Sequence, residues 1–221
     1  MHIHSSFSDG KNSILEMASV AHKLGIKKIC FTDHVRKDST WFNNYILEIE
    51  RVRKLVPIEI CIGVEAKIID FNGNLDVPDN LPKEVSRVAA IHRITDGKGG
   101  YISKSDSNLV QSEYALECWF NALEGLGKNK EVSRIAHPFS MIPFLKPKMD
   151  DGFWKRLETI FDRSNYSIEL NFKYDNSFVP DSFWKRYKDR LIIGSDSHSI
   201  EDLQRYPDKV KEYRWLLKQK E

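Results

Sequence analysis

Cysteine is scarce in this chain of 221 residues: Cys30, Cys61 and Cys118 are odd in number and show no CxxC spacing. That argues against a disulfide framework and leaves them as buried small hydrophobes in a reducing compartment. No apolar stretch approaches the roughly 20 residues that a membrane helix needs, so no membrane contact is expected. A charge of one sign is lacking too. The formal net charge is +2, with lysines and arginines scattered among acids. Without a basic stripe there is no extended footprint for a phosphate backbone, although a nucleic-acid end held in a pocket stays compatible. A leader is not expected either, because a ligand-like pattern begins at residue 2. The expected location is the cytoplasm.

Apolar residues are plentiful, at 41%, enough for a sizeable core and too many for a disordered chain. Seven short runs read as strands: Met1 to His4, Lys28 to His34, Ile58 to Glu65, Val85 to His92, Ser133 to His137, Ser167 to Phe172 and Leu191 to Ser195. Most are continuous rather than alternating, as parallel strands covered on both faces require. Between them, Ile14, Met17, Ala18, Ala21 and Leu24 recur at helical spacing before Gly25, and Tyr45 to Leu55 and Glu113 to Leu126 behave alike. Asp70 to Lys83 shows little periodicity and reads as a loop insertion. Phe153-Trp154-Lys155-Arg156 recurs as Phe183-Trp184-Lys185-Arg186, each copy before a strand, with Asp150 or Asp151 and Asp181 as expected helix caps. The fold class is α/β, an irregular (β/α)7 barrel in one domain over residues 1–221.

Function in such barrels gathers at the C-terminal strand ends. Six of the seven histidines lie there. His2 and His4 are one residue apart, as are Asp196 and His198, and side chains two apart on a strand share a face. His34, Glu65, His92 and His137 each close another apolar run. Each histidine taken singly reads as well as a hydrogen-bonded core residue; their common register points to metal. Imidazoles and carboxylates together suit zinc, manganese or iron. They exceed what one zinc needs, so two or three divalent ions are expected. A carboxylate such as Glu65 can bridge two ions, which lower the pKa of water between them and support in-line displacement at phosphorus. His22, on the polar side of the first helix, is expected in solvent. Asp33 adjoins His34 and should face away from it, in a supporting role. Glu169, Asn171 and Lys173 share a face and read either as orienting groups or as ordinary interior polarity.

The order of motifs resembles the polymerase and histidinol phosphatase (PHP) superfamily over nearly the whole length. His2-Ile3-His4 followed by Ser8-Asp9-Gly10 is similar to its first motif, and Thr32-Asp33-His34 to its second. Gly63-Val64-Glu65 with His92 resembles the third, and His137-Pro138 with Gly194-Ser195-Asp196-Ser197-His198 the last. The resemblance implies a distorted seven-stranded barrel with a trinuclear site. It implies His2, His4, Glu65 and Asp196 around one ion, with Glu65 bridging to a second held by His92 and His137. Asp9, His34 and His198 would hold the third. One departure is that only Met1 precedes the HxH, so a tag fused there is expected to disturb His2 and His4.

The expected reaction is hydrolysis of a small phosphomonoester, as in the histidinol-phosphatase branch, by a hydroxide bridging the ions. Glu65, His92 and Asp196 are the expected catalytic residues, Asp196 or a metal-bound water protonating the leaving oxygen. Arg36, Lys67, Arg93 and Lys173 fall at or past strand ends, where they read as phosphate grips or as solvated charges. The alternative is a nuclease trimming DNA or RNA ends with the same metals. A third class is a scaffold without metals, against which the cost of burying unpaired histidines and carboxylates counts. Natural substrate, metal identity and oligomeric state are left open.

Overall fold

The computed structural model describes residues 1–213; residues 214–221 of the expected domain lie outside them. One sheet carries seven parallel strands in the order β1 (His2–Ile3), β2 (Lys28–Phe31), β3 (Glu59–Lys67), β4 (Ser86–Ala90), β7 (Val132–Ala136), β8 (Ser167–Asn171) and β9 (Leu191–Gly194). The first strand meets the far end of the chain. Ile3 bridges Ser197 in parallel, the His4 amide donates to the Ser197 carbonyl at 2.9 Å, and Ser195 Oγ donates to the His2 carbonyl at 2.9 Å. The sheet is thereby a nearly closed, distorted (β/α)7 barrel of the kind expected. All seven expected strands are present, most with trimmed ends, while β3 runs on to Lys67 and β7 starts at Val132.

Helices cover the outside. Helix α1 (Ile14–Lys23) starts on a capping box between Ser13 and Glu16 and stops before Gly25, whose φ of 73° only glycine adopts cheaply. Its buried Ile14, Met17, Ala18 and Ala21 join Ile29 and Phe31 of β2 and the buried face of α2 (Phe42–Arg53) in one core. On the other half, α4 (Glu113–Lys128) and α6 (Asp151–Asp162) pack Trp119, Leu123, Phe153 and Leu157 against Ala89, Ile135 and Ile168. Val88, Ala90 and Ala136 point the opposite way and form a separate small cluster inside the barrel. Small interior residues at that level leave room for imidazoles above them.

Several features depart from expectation. Ile94–Thr95 (β5) and Tyr101–Ile102 (β6) form an antiparallel hairpin after β4, followed by the short α3 (Ser107–Val110). Two-residue strands are too short to show a period. The second Phe-Trp-Lys-Arg copy lies in α7 (Asp181–Arg186), after the short α5 (Ile142–Leu145). There Asp181 is the first helical residue and Pro180 the cap, whereas Asp150 does cap α6 and accepts from the Phe153 amide. Helix α8 (Ile200–Glu212) runs through Pro207, an unfavourable interior residue. Cys30 and Cys118 are buried, but Cys61 is only half-buried, because it sits near the start of β3 at the open lower mouth. The loop over Asp70 to Lys83 and the exposed His22 are as expected. Among the described residues no helix is long and apolar enough to cross a membrane.

Candidate metal centre

The strand ends deliver their side chains to one place. His2 lies on β1 with His4 just beyond, Glu65 on β3, His34 after β2 where it bridges Glu65, and His92 after β4. His137 and Asp196, just past β7 and β9, have φ of 34° and 48°. Such a backbone costs a non-glycine residue about 1–3 kcal/mol and recurs where a side chain must be re-aimed at a functional site. Asp9 arrives on the loop before α1. That loop folds back closely enough that a Cβ on Gly10 would lie 2.7 Å from the His4 carbonyl carbon.

Three groups of possible ligand atoms result, each with its atoms within 4.8 Å of one another. In the deepest, His2, His4, Glu65 and Asp196 are all buried; the two Nε2 atoms are 2.9 Å apart, and His4 Nε2 is 3.1 Å from Asp196 Oδ1. In the second, Asp9 Oδ2 lies 3.3 Å from His34 Nε2 and 3.2 Å from His198 Nε2, with His4 completing the group. The third joins His34, Glu65 and His92. His137 stands outside these groups but is 2.8 Å from Glu65 Oε1, the oxygen that His92 approaches at 3.5 Å. Glu65 therefore faces two ways. Oε1 meets His92 and His137, while Oε2 is 3.6 Å from His2, 3.4 Å from His4 and 3.1 Å from His34. All nine expected ligand residues come together here.

The donor set suits divalent ions. His4 Nδ1 and Glu65 Oε2 are buried without a hydrogen-bond partner, a costly condition unless a cation takes their lone pairs. The nitrogen and oxygen donors match zinc, manganese or iron. Electrostatics divide the histidines. Burial pushes His4 and His92 down to about 4, so both are neutral and free to ligate near pH 7. Burial opposes protonation of His2 as well, but the Glu169 and Glu65 carboxylates outweigh it and raise its pKa. Glu65 and Asp196 are held below the carboxylate range: burial works against ionisation in both, and is outweighed by His2, His92 and His137 for Glu65 and by His4 and His2 for Asp196.

A second layer holds these groups in place. Ionised Glu169 accepts from His2 Nδ1 at 3.0 Å and from Asn171 Nδ2 at 3.0 Å, which fixes the His2 tautomer with Nε2 turned inward. Gly194 makes room for that carboxylate, since a Cβ there would lie 1.3 Å from Glu169 Oε1. Asp33 points away from the centre, as expected. It accepts from the Ser5 amide at 2.8 Å, Ser5 Oγ at 2.9 Å and Ser8 Oγ at 2.7 Å, pinning the loop that carries Asp9. Sequence reasoning missed Ser140, whose hydroxyl is 3.3 Å from His137 Nδ1, and Tyr174, whose ring centroid is 4.8 Å from that of His137. A lone serine or tyrosine in a loop carries no spacing signal that could have found them.

Basic groups flank the centre. Arg36, Lys67 and Arg93 line a cleft of about 210 Å³ together with His34, Glu65 and His92. Lys67 is engaged by Asp76 Oδ2 at 3.2 Å. From the other side, Lys173 Nζ approaches Asp196 Oδ2 at 3.0 Å and His198 Nδ1 at 3.3 Å.

Comparison with known proteins agrees with this geometry. The PHP domain family model matches residues 1–173. The chain belongs to the PHP domain family. A protein of Caldicellulosiruptor bescii named a probable phosphatase is 27% identical over 201 residues, covering 88% of this chain and 76% of its own length. Probable phosphatases of Thermoanaerobacter sp. and Clostridium botulinum are 26% and 25% identical, covering 90% and 88% of this chain and 78% and 76% of their own. The resemblance read from the motifs is thereby borne out, and both findings support an enzyme acting on phosphoesters. The matched stretch of the PHP domain ends at Lys173, yet Asp196 and His198, beyond it, complete two of the three clusters.

Proposed function

We propose that this PHP-domain protein is a metal-dependent phosphatase hydrolysing small phosphomonoesters, the class to which histidinol phosphate belongs, at a trinuclear site. The observation that carries the reading is Glu65, buried and shared by two groups of imidazoles through different oxygens. A carboxylate so placed suits a bridge between neighbouring ions. His2, His4, Glu65 and Asp196 would hold one ion, and Glu65, His92 and His137 the next. Asp9, His34 and His198 would hold the third. Bound zinc, manganese or iron would supply an activated water and neutralise charge on the phosphoryl oxygens.

The chain's own groups do the rest. Lys173, at hydrogen-bonding distance from Asp196, can offer an N–H to a phosphoryl oxygen arriving beside it, while Arg36 and Arg93 stand at the opposite rim. Asp196 is held ionised, so at neutral pH it carries no proton to donate. The proton for the leaving oxygen then comes from water. The reading also takes the chain as one domain working in the cytoplasm.

Turnover of para-nitrophenyl phosphate and of bis-para-nitrophenyl phosphate, with manganese added, tests this. Cleavage of the monoester well above the diester is expected. Faster cleavage of the diester would overturn the phosphatase reading in favour of a nuclease. His92→Ala should abolish monoester turnover with an unchanged circular dichroism spectrum; retained turnover would remove His92 from the centre.

A further inference from the structure

The cations around the centre fall into two sets. Lys173 reaches into the ligand cluster itself, and Lys67 is neutralised by Asp76. Arg36 and Arg93 differ from both. Each follows a histidine of the centre by one or two residues, at the ends of β2 and β4 on either side of β3, and both line the cleft containing His34, Glu65 and His92. Among the described residues neither guanidinium has an ion-pair partner. The hairpin adds a third cation. Its register pairs Ile94 with Ile102, which sets Arg93 opposite Ser103 and brings Lys104 alongside. Lys104 rests its ammonium 4.6 Å over the Phe144 ring and has no ion-pair partner among the described residues.

Three acids of the surrounding loops are committed elsewhere. Asp76 holds Lys67, Asp79 holds Lys37 at 3.0 Å, and Asp96 accepts from the Lys98 and Gly100 amides within the hairpin turn. Arg36 and Arg93 line one cleft and Lys104 stands beside Arg93, so unpaired positive charge at this rim favours an anion there. A cationic leaving group entering the same cleft would be repelled.

We propose that Arg36, Arg93 and Lys104 form a second anion subsite that receives the leaving group, so the substrate is a phosphomonoester whose alcohol carries a carboxylate or second phosphate. This rests on the phosphatase reading and narrows it, away from aminoalcohol phosphates such as histidinol phosphate. The reaction is unchanged: a bond forms from water oxygen to phosphorus, the ester P–O bond breaks, and the released alcohol takes up a proton.

A matched three-carbon series decides it, with the manganese-loaded protein as the enzyme. The substrates are propyl phosphate, 3-phosphooxypropanoate, propane-1,3-diyl bisphosphate and 3-aminopropyl phosphate. At low ionic strength, kcat/KM for an anionic substrate is expected to exceed that for propyl phosphate by about tenfold or more, with the amine below it. Preference for the carboxylate or for the bisphosphate identifies the second anion. In Arg93→Glu, and separately in Lys104→Glu, the anionic-to-neutral ratio should fall to about one. A wild-type ratio near one, a preference for the amine, or ratios unmoved in both variants would overturn the subsite while leaving the phosphatase intact. Absence of turnover with the whole series and with para-nitrophenyl phosphate would instead overturn the phosphatase reading, and the subsite with it.

Discussion

Replacing Glu169 by Gln removes one charge and almost no volume beneath the deepest ligand cluster. Glu169 is buried, accepts from His2 Nδ1 at 3.0 Å and from Asn171 Nδ2 at 3.0 Å, and touches none of the open cleft. Glutamine keeps one acceptor oxygen and turns the other into a donor. His2 Nδ1 lies 3.1 Å from Oε1 and 3.0 Å from Oε2 while Asn171 bonds only Oε1, so the new NH2 faces the His2 N–H in either orientation and one contact to it becomes donor–donor. Loss of a hydrogen bond to a charged acceptor costs about 1.5–3 kcal/mol. Partners of ligating histidines commonly contribute about 10–100-fold in metal affinity, or about 1.4–2.8 kcal/mol at 1.4 kcal/mol per tenfold, and the two ranges overlap. Glu169→Gln should therefore bind its tightest ion about 10–100-fold more weakly. Competition against a chromophoric chelator, with metal analysis after dialysis, measures this directly. A folded variant that binds every ion within about threefold of wild type would refute the assigned role of Glu169.

Gly194→Ala drives a methyl into the Glu169 carboxylate, since the new Cβ would stand 1.3 Å from Oε1. Overpacking of this kind costs about 1–3 kcal/mol, so a thermal melt should show a clear fall in Tm together with weaker metal binding. Asp33→Asn weakens three hydrogen bonds that restrain the Asp9 loop. Metal analysis should find an ion lost from the cluster of Asp9, His34 and His198, and a full complement would refute the restraint. The pH dependence should reverse with loading. Burial lowers the pKa of His34 and His198, but Asp9 and further carboxylates outweigh it and raise both. Without metal, the native state then holds protons that the unfolded chain releases above about 6.5, so stability falls as pH rises through the folded pKa values. Loaded protein, whose ligands must be deprotonated, should gain stability over the same interval. Melts at pH 6.5 and 8 check the two signs, and equal signs would contradict the assignment.

What was legible in the sequence is what repeats. The strands show as apolar runs because both faces of a parallel barrel are covered, and the ligands show because each terminates such a run. Asp9 was reachable only through the motif resemblance, since it lies on a loop with no periodicity of its own. Pairings between distant loops were not readable. Lys67 reads as a phosphate grip until Asp76 is seen beside it, and Asp76 belongs to the aperiodic stretch from Asp70 to Lys83. Lys104 is one more polar residue until the hairpin register brings it alongside Arg93. Helix α8 passes through Pro207, a residue whose local preference argues for a break, so tertiary packing through Leu203 prevails over propensity.

Burial across the centre also fixes the direction from which chemistry can occur. His2, His4 and Glu65 have no exposed side-chain surface, whereas Asp9 is 51% exposed, His34 32%, His92 29% and His198 19%. A phosphoryl group can meet only the exposed set. The deep cluster would then act on it indirectly, by anchoring the ion nearest the barrel core and by holding Glu65 rigid between neighbours. The flanking cations obey the same geometry. Arg36 and Arg93 approach from the ends of β2 and β4, and Lys173 from beyond β8. A substrate entering between them has its phosphorus above Glu65 only if its remaining bulk lies toward one of those rims. On the side of Lys173 the ammonium is already engaged with Asp196 and His198. On the side of Arg36 and Arg93 the positive charge is uncommitted. The proposed leaving-group side thus follows from which cations the fold has left without partners.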